Sequence, residues 1–281
     1  MFSVSIPVLL AFLAFFGWGI ADVVGIFLFR KNSPATLVFY SGIFRMVIWI
    51  FFMPFFVQDF GKITFIPLVF NLVAGLSSGL GYVFYGKATR YTNPTIVAAL
   101  GGGWGAMALV YSLFLFKENI TTNQWVAIMF VCLGLILNLF KKEWVKEVFT
   151  NEGKGLFYSV CTLLLWGLCG ATLKIPALAY GWYWTSLIML LPYLALIFID
   201  MRSNKEPISF RIHHLFIFIA MVVLIILGDL GYNSGFTFGG SVAIIGTIGG
   251  SYAVLTTALS YIVYKEPLTN QQKLGVGISL I

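Results

Sequence analysis

Four ionisable side chains lie inside long apolar stretches of this sequence. Most of their neighbours have no group that could bind a charged ligand or exchange a proton. The four side chains are Asp22, Arg45, Lys174 and Asp229. A charged side chain in the hydrocarbon core of a bilayer costs several kcal/mol, so it usually faces a cavity or a partner of opposite charge. Two interpretations are open for Asp22 and Arg45. They could form an ion pair that neutralises both, or Asp22 could bind a cation or a proton.

Asp229 and Lys174 have different expected surroundings. Asp229 lies beside Gly228 and Gly231 and has no obvious basic neighbour in the sequence. A carboxyl group desolvated in this way could exchange a proton near neutral pH, and packing is the alternative. Lys174 precedes Pro176 near the end of an apolar stretch, so we expect its ammonium group to reach the membrane interface along its alkyl chain.

The high proportion of hydrophobic residues indicates that this chain lies in a membrane. Of 281 residues, 60% are hydrophobic and 10% are charged, against about 45–50% and 25% in soluble domains. A helix that spans a bilayer needs about 20 apolar residues. Ten windows in the sequence approach this requirement: Val4–Phe29, Ala35–Phe56, Thr64–Tyr85, Thr95–Phe116, Thr122–Phe140, Gly155–Ile175, Tyr183–Ile199, His214–Tyr232, Ser241–Tyr264 and Gln271–Ile281. The predicted fold class is therefore an all-α polytopic membrane protein with ten transmembrane helices.

The residue patterns required for several other classes of function are absent from this sequence. The three cysteines fall inside predicted helices, and the pair His213 and His214 has no second ligand cluster, so no metal site or cofactor is expected. There is no His-Glu-x-x-His motif and no Ser-His pair, so we do not expect an enzyme. The net charge of +7 comes from Lys and Arg in connections that face lipid head groups, and nothing indicates nucleic acid. The apolar N-terminal run has no preceding basic residue, so it is interpreted as a retained first span.

Short segments of the first half recur in the second half in the same order. With an offset of 148 residues, Phe116–Thr121 matches Tyr264–Thr269, Trp18-Gly19 matches Trp166-Gly167, and Gly101–Trp104 matches Gly249–Tyr252. With an offset of 150 residues, Leu80-Gly81-Tyr82 matches Leu230-Gly231-Tyr232. The repeat units are residues 1–146 and 147–281. Each predicted unit holds five helices, an odd number, so the second must enter the membrane in the opposite orientation. Two inverted five-helix repeats are a common basis for alternating access.

Aromatic residues occupy matched positions of the two repeats. The candidate substrate-binding set is Trp18, Tyr82, Trp104, Trp166, Tyr232 and Tyr252. Such rings could stack on a planar substrate or hold an ammonium group by cation–π contact. Packing or a place in the interfacial aromatic belt is the alternative for all six.

Other matched residues have structural explanations. Thr121 with Gln124, and Thr269 with Gln272, fit capping boxes at the starts of the fifth and tenth helices. Glu118 and Glu266 end the fourth and ninth helices, where structural hydrogen bonding is expected. The glycines of Gly101–Gly103 and Gly249-Gly250 suit close helix packing, and they would also permit a local break that exposes backbone groups.

The residues resemble the drug/metabolite transporter superfamily, in its EamA-type ten-helix branch. The resemblance rests on the repeated Lys-Glu-x-x-Thr-x-x-Gln endings, on Gly134 and Gly275 in the helices that follow them, on Trp18-Gly19, and on Ala88–Thr92. One departure is that Trp104 and Tyr252 stand where family members commonly carry a proline. The resemblance implies a carrier for a small polar or amphipathic metabolite, often an exporter of amino acids or related compounds, with a central cavity between the halves.

The expected function is a secondary transporter for such a metabolite by export or exchange, with the lipid bilayer as its environment and protons as a candidate coupling ion. An importer of a small amine is an alternative, and a channel, receptor or lipid-modifying protein is another. The expected location is a prokaryotic inner membrane. Connections after odd-numbered helices carry thirteen Lys and Arg residues against three elsewhere, so the charge bias places both termini outside.

Overall fold

The computed structural model is helical throughout the part of the chain that it describes, namely residues 5–29, 31–91, 97, 100–118, 120–123, 125–126, 129–130, 132–133, 153–205, 210–265 and 270–279. The α-helices in these ranges are α1 (Ile6–Phe29), α2 (Pro34–Phe52), α3 (Phe65–Tyr91), α4 (Trp104–Phe116), α5 (Gly153–Thr172), α6 (Lys174–Ser203), α7 (Leu215–Thr237), α8 (Val242–Gly250), α9 (Tyr252–Tyr264) and α10 (Asn270–Ser279). Short 3₁₀ helices occupy Met53–Phe55, Val57–Lys62 and Ile212–His214.

Within these ranges, seven helical segments are long and apolar enough to cross a membrane. They are Ile6–Phe29, Ala35–Phe55, Phe65–Tyr91, Gly153–Thr172, Lys174–Ser203, Ile212–Thr237 and Val242–Tyr264. A shorter apolar helix covers Leu100–Phe116. The prediction of a polytopic α-helical membrane protein is confirmed. The predicted fifth window, Thr122–Phe140, lies largely outside the described residues, so a total of ten spans stays a prediction.

The connection expected between the sixth and seventh windows is helical, whereas the predicted start of the seventh window at Tyr183 lies two residues after a break at Gly181. We expected the chain to leave its helix near Ile175, but α5 ends at Thr172 and α6 begins already at Lys174. Pro176 is compatible with this start because the first N–H groups of a helix have no partner within it. A sharp kink follows at Gly181, whose φ of 86° and ψ of 166° are not helical. Glycine tolerates this backbone conformation, which side-chain-bearing residues rarely adopt.

Helix boundaries recur at the offsets found in the sequence. Both α4 and α9 contain 13 residues and end before a left-handed lysine, Lys117 with φ 48° and Lys265 with φ 54°. A residue in this conformation closes a helix by satisfying its last carbonyl groups. The starts of α3 and α7, at Phe65 and Leu215, differ by the second offset.

Small residues allow the helices on either side of the site to approach closely. Helix α1 packs along α7, and α3 packs along α5 and α6. A Cβ atom added to Gly17 of α1 would lie 2.7 Å from the Gly228 backbone nitrogen of α7. A Cβ atom added to Gly105 of α4 would lie 2.5 Å from the Gly246 carbonyl oxygen of α8. Side chains beside these contacts therefore reach from one helix to the next.

Candidate functional site

Trp18 of α1 is the centre of a cluster of aromatic rings. Its ring centroid lies 5.8 Å from that of Trp104, 5.3 Å from that of Tyr232 and 5.9 Å from that of Tyr252. Trp104 and Tyr232 are themselves 5.6 Å apart. These distances are within the range of favourable aromatic pairs. The structure thus brings together four of the six rings singled out in the sequence, from α1, α4, α7 and α9.

The remaining two rings form a second cluster. The Tyr82 centroid of α3 lies 4.9 Å from that of Trp166 of α5. Two tyrosines that the sequence reasoning missed complete this cluster: Tyr85, stacked 5.6 Å from Trp166, and Tyr193, 5.5 Å from Tyr82. The signal for Tyr85 was available, because it follows Tyr82 by three residues and shares its helix face. Nothing local to Tyr193 distinguished it.

Burial divides the predicted rings into two kinds. Tyr232 is 1% exposed, and its hydroxyl donates a hydrogen bond of 3.0 Å to the Gly170 carbonyl oxygen. Trp104 is buried as well. By contrast, the other four predicted rings are only half-buried, namely Trp18, Tyr82, Trp166 and Tyr252. Tyr232 is therefore a packing residue behind the site, and the half-buried rings are the ones that a small molecule is able to touch.

Asp22 lies next to the first cluster along α1. It follows Trp18 by one helical turn, so both side chains project from the same face of α1. Its carboxylate is exposed, although it stands in the interior of a span. It is within electrostatic reach of the Tyr82, Tyr85 and Tyr252 hydroxyls. An exposed carboxylate on an inward face indicates an opening among α1, α3 and α9.

Of the two interpretations for Asp22 and Arg45, the one in which they form an ion pair is wrong. Arg45 instead bonds Asp229, with 2.9 Å between Nη1 and Oδ2, and both side chains are almost fully buried. The Trp18 indole N–H donates to the other oxygen of Asp229 at 3.1 Å. Asp229 therefore has a basic partner, against our interpretation of the sequence. The Arg45 guanidinium also lies 5.2 Å from the Tyr193 ring centroid.

The ammonium group of Lys174, which we expected at the membrane interface, has an acidic partner. This group lies 2.6 Å from Oε1 of Glu118, and the two side chains are 19% and 7% exposed. The same Glu118 carboxylate accepts hydrogen bonds from the backbone N–H groups of Val242 and Ala243, at 2.9 and 3.0 Å. It thus caps the first turn of α8, where helix N–H groups lack partners within the helix. The structural role expected for Glu118 is confirmed, whereas Glu266, Gln124 and Thr269 lie outside the described residues.

Glycines fix the two indoles that border the opening. A Cβ atom added to Gly228 would lie 2.4 Å from the Trp18 ring, and one added to Gly81 would lie 2.4 Å from the Trp166 ring. The Trp166 N–H points at the Ser78 carbonyl oxygen, at 3.4 Å. Each indole therefore packs directly against the backbone of a helix of the other sequence half, and its position depends on the absence of a side chain at the glycine.

Comparisons with known proteins agree with this architecture. Residues 5–140 match the EamA-like transporter family. One crystal structure of a protein superimposes on the chain with a TM-score of 0.76 at 16% sequence identity, over 98% of this chain and 94% of that chain. At this identity the likeness shows the fold alone. No curated protein matches the chain.

Proposed function

We propose that this protein, whose residues 5–140 match the EamA-like transporter family within the drug/metabolite transporter superfamily and whose described helices include seven able to span a membrane, is a multi-pass secondary transporter. Its substrate in this proposal is a small polar or amphipathic organic metabolite, which it moves by export or exchange. The substrate crosses by alternating access through the opening around Asp22.

The proposed architecture consists of two inverted five-helix repeats, residues 1–146 and 147–281. The matching bounds of α4 with α9 and of α3 with α7 support the repeat. The packing supports it too, because α1 packs on α7 as α5 packs on α3. Five helices in each unit would reverse the orientation of the second unit in the membrane.

The observation that carries the proposal is that both aromatic clusters combine residues of the two repeats. Trp18 of the first repeat contacts Tyr252 of the second, and Tyr82 of the first contacts Trp166 of the second. A rocking motion of one repeat against the other would therefore separate or join the rings around a substrate. Alternating access requires this property of its binding site.

Binding and transport by purified protein test the proposal. A thermal-shift screen against amines, amino acids, nucleobases and sugars would first find the ligand, since a molecule that binds only the folded state raises the unfolding temperature. Counterflow of that ligand in proteoliposomes then measures transport. We expect uptake by protein-containing vesicles above that of empty vesicles. Channel-like flux that does not depend on solute inside the vesicle would contradict alternating access.

A pair of variants on one helix tests the location of the site. Tyr252→Ala removes a half-buried ring beside Trp18, whereas Tyr261→Ala removes a ring that is 45% exposed on the outer surface of the same helix. We expect Tyr252→Ala to weaken ligand binding by about tenfold, the equivalent of one lost aromatic contact of about 1.4 kcal/mol. Tyr261→Ala should bind like the parent. Equal effects of both changes would place the site elsewhere.

A further inference from the structure

The Asp22 carboxylate is an unusual group for the interior of a span. Among the residues that the structure describes, it has neither a hydrogen-bond partner nor an ion-pair partner, and it is exposed. The other inward acidic side chains are both paired, Asp229 with Arg45 and Glu118 with Lys174. A lone carboxylate at membrane depth is costly unless water, a proton or a cationic ligand accompanies it.

The surroundings of Asp22 show that it faces an opening inside the protein. Helix α9 runs beside this stretch of α1, because Thr256 donates to the Gly19 carbonyl oxygen at 3.2 Å and Tyr264 donates to the Val23 carbonyl oxygen at 2.6 Å. From α3, Tyr82 and Tyr85 are within electrostatic reach of the carboxylate. The opening is thus bounded by α1, α3 and α9, and its walls near Asp22 are tyrosine rings and hydroxyl groups.

The same opening offers little to a negatively charged group. Arg45 is a basic side chain within electrostatic reach of Tyr82, and Asp229 already neutralises it. Arg45 is also 6% exposed, so it is covered on the side of the opening. A substrate carboxylate would therefore enter beside Asp22 without a free cation to pair with. A substrate ammonium would find a carboxylate and the electron-rich faces of several rings.

We propose that this opening binds the protonated amine of a small organic amine that lacks a carboxylate, with Asp22 as its counter-ion and with the Tyr82, Tyr85 and Tyr252 rings around it. This inference rests on the proposed transport function and names the substrate class of the same site. Asp22 supplies the charge, and the rings exclude water and favour a cation over a neutral molecule of the same shape.

Three compounds that share a phenylethyl or benzyl frame test the charge preference. They are phenethylamine, which carries only an amine, phenylalanine, which carries an amine and a carboxylate, and phenylacetate, which carries only a carboxylate. Isothermal titration of the purified full chain in detergent gives the three affinities. We expect phenethylamine to bind at least about tenfold more tightly than the other two compounds, because it alone gains a charge-assisted contact without adding an unpaired carboxylate. Equal or tighter binding of phenylalanine or phenylacetate would overturn the proposal, as would no binding of phenethylamine.

Variants of two acidic residues locate the effect. Asp22→Asn should weaken phenethylamine binding by about tenfold or more, whereas Asp22→Glu should keep part of it because the charge remains. Asp59→Asn is the matched control, since Asp59 pairs with Lys62 on a short 3₁₀ helix away from the opening. Unchanged binding in Asp22→Asn, or an equal loss in Asp59→Asn, would overturn the role of Asp22. The affinity ranking in the unaltered protein tests the substrate class even if Asp22→Asn fails to fold.

Transport assays separate this inference from the proposed function. If proteoliposomes exchange an amino acid, sugar or nucleobase but neither bind nor exchange phenethylamine, the protein is a secondary transporter and the amine proposal is wrong. If phenethylamine binds through Asp22 without counterflow of any solute, the amine site is supported and secondary transport is wrong.

Discussion

Arg45 and Asp229 form a buried ion pair that joins α2 to α7, with 2.9 Å between the guanidinium Nη1 and the carboxylate Oδ2. The Trp18 indole donates to the remaining carboxylate oxygen, so α1 is part of the same network. The pair therefore connects three helices and fixes the indole that borders the opening. Its main consequence is for stability and for the shape of the site.

The first prediction concerns this pair. Asp229→Asn should destabilise the protein by about 3–5 kcal/mol, because it leaves the Arg45 charge buried without a counter-ion. Arg45→Met should lower the free energy of unfolding by a similar amount, because it leaves the Asp229 carboxylate buried without a counter-ion. The double variant should be more stable than the sum of the two single effects predicts, since no uncompensated charge remains. Thermal or denaturant unfolding in detergent measures all four proteins. Additive effects would show that the two charges do not interact.

The second prediction concerns the cap at the start of α8. Glu118→Ala removes the acceptor of two backbone N–H groups and the partner of Lys174. We expect a loss of about 1–3 kcal/mol for each buried donor left without a partner. Lys174→Met is the comparison, because it removes the ion pair and keeps the cap, so its loss should be smaller. Unfolding measurements that rank Lys174→Met as the more damaging change would contradict the importance of the cap.

The third prediction uses two glycines on one helix. A methyl group at Gly81 would meet the Trp166 ring at 2.4 Å, whereas a methyl group at Gly86 would have no atom within 4 Å. Gly81→Ala should therefore cost about 1–3 kcal/mol through overpacking, and it should weaken ligand binding by shifting Trp166. Gly86→Ala should leave binding unchanged. Equal stability and binding in the two variants would mean that Trp166 moves aside freely.

The fourth prediction is the orientation in the membrane. The distribution of Lys and Arg predicts that the segment Lys141–Lys154 is in the cytoplasm and that both termini are outside. A cysteine introduced into that segment, in a variant with Cys132, Cys161 and Cys169 replaced, should resist an impermeant thiol reagent in intact cells. Permeabilised cells, in which the cysteine should react, are the control. Rapid labelling in intact cells would place the termini in the cytoplasm.

The amino-acid sequence was sufficient to predict the fold class and most span positions. Hydropathy is a local property, and a bilayer demands about 20 apolar residues wherever a helix crosses it. Sequence windows therefore located α1, α2, α3 and α7 to within a few residues at most ends. The repeat offset also matched Trp18 with Trp166 and Trp104 with Tyr252, and all four residues lie in the two aromatic clusters. The helix boundary near Pro176 was harder to predict, because a proline is able to end one helix or to begin the next.

The pairing of the charged side chains, and the exposure of Asp22, depend on how the helices pack in three dimensions. Arg45 is 184 residues from Asp229 in the chain, and Asp22 was the nearer candidate along the sequence. Helix packing, which depends on small residues such as Gly17 and Gly228, determines the partner. Sequence distance does not limit contact between packed helices, because each helix meets whichever neighbour its small and large side chains fit. For this reason the sequence identified the ionisable residues, and the packing of α1 against α7 assigned their roles.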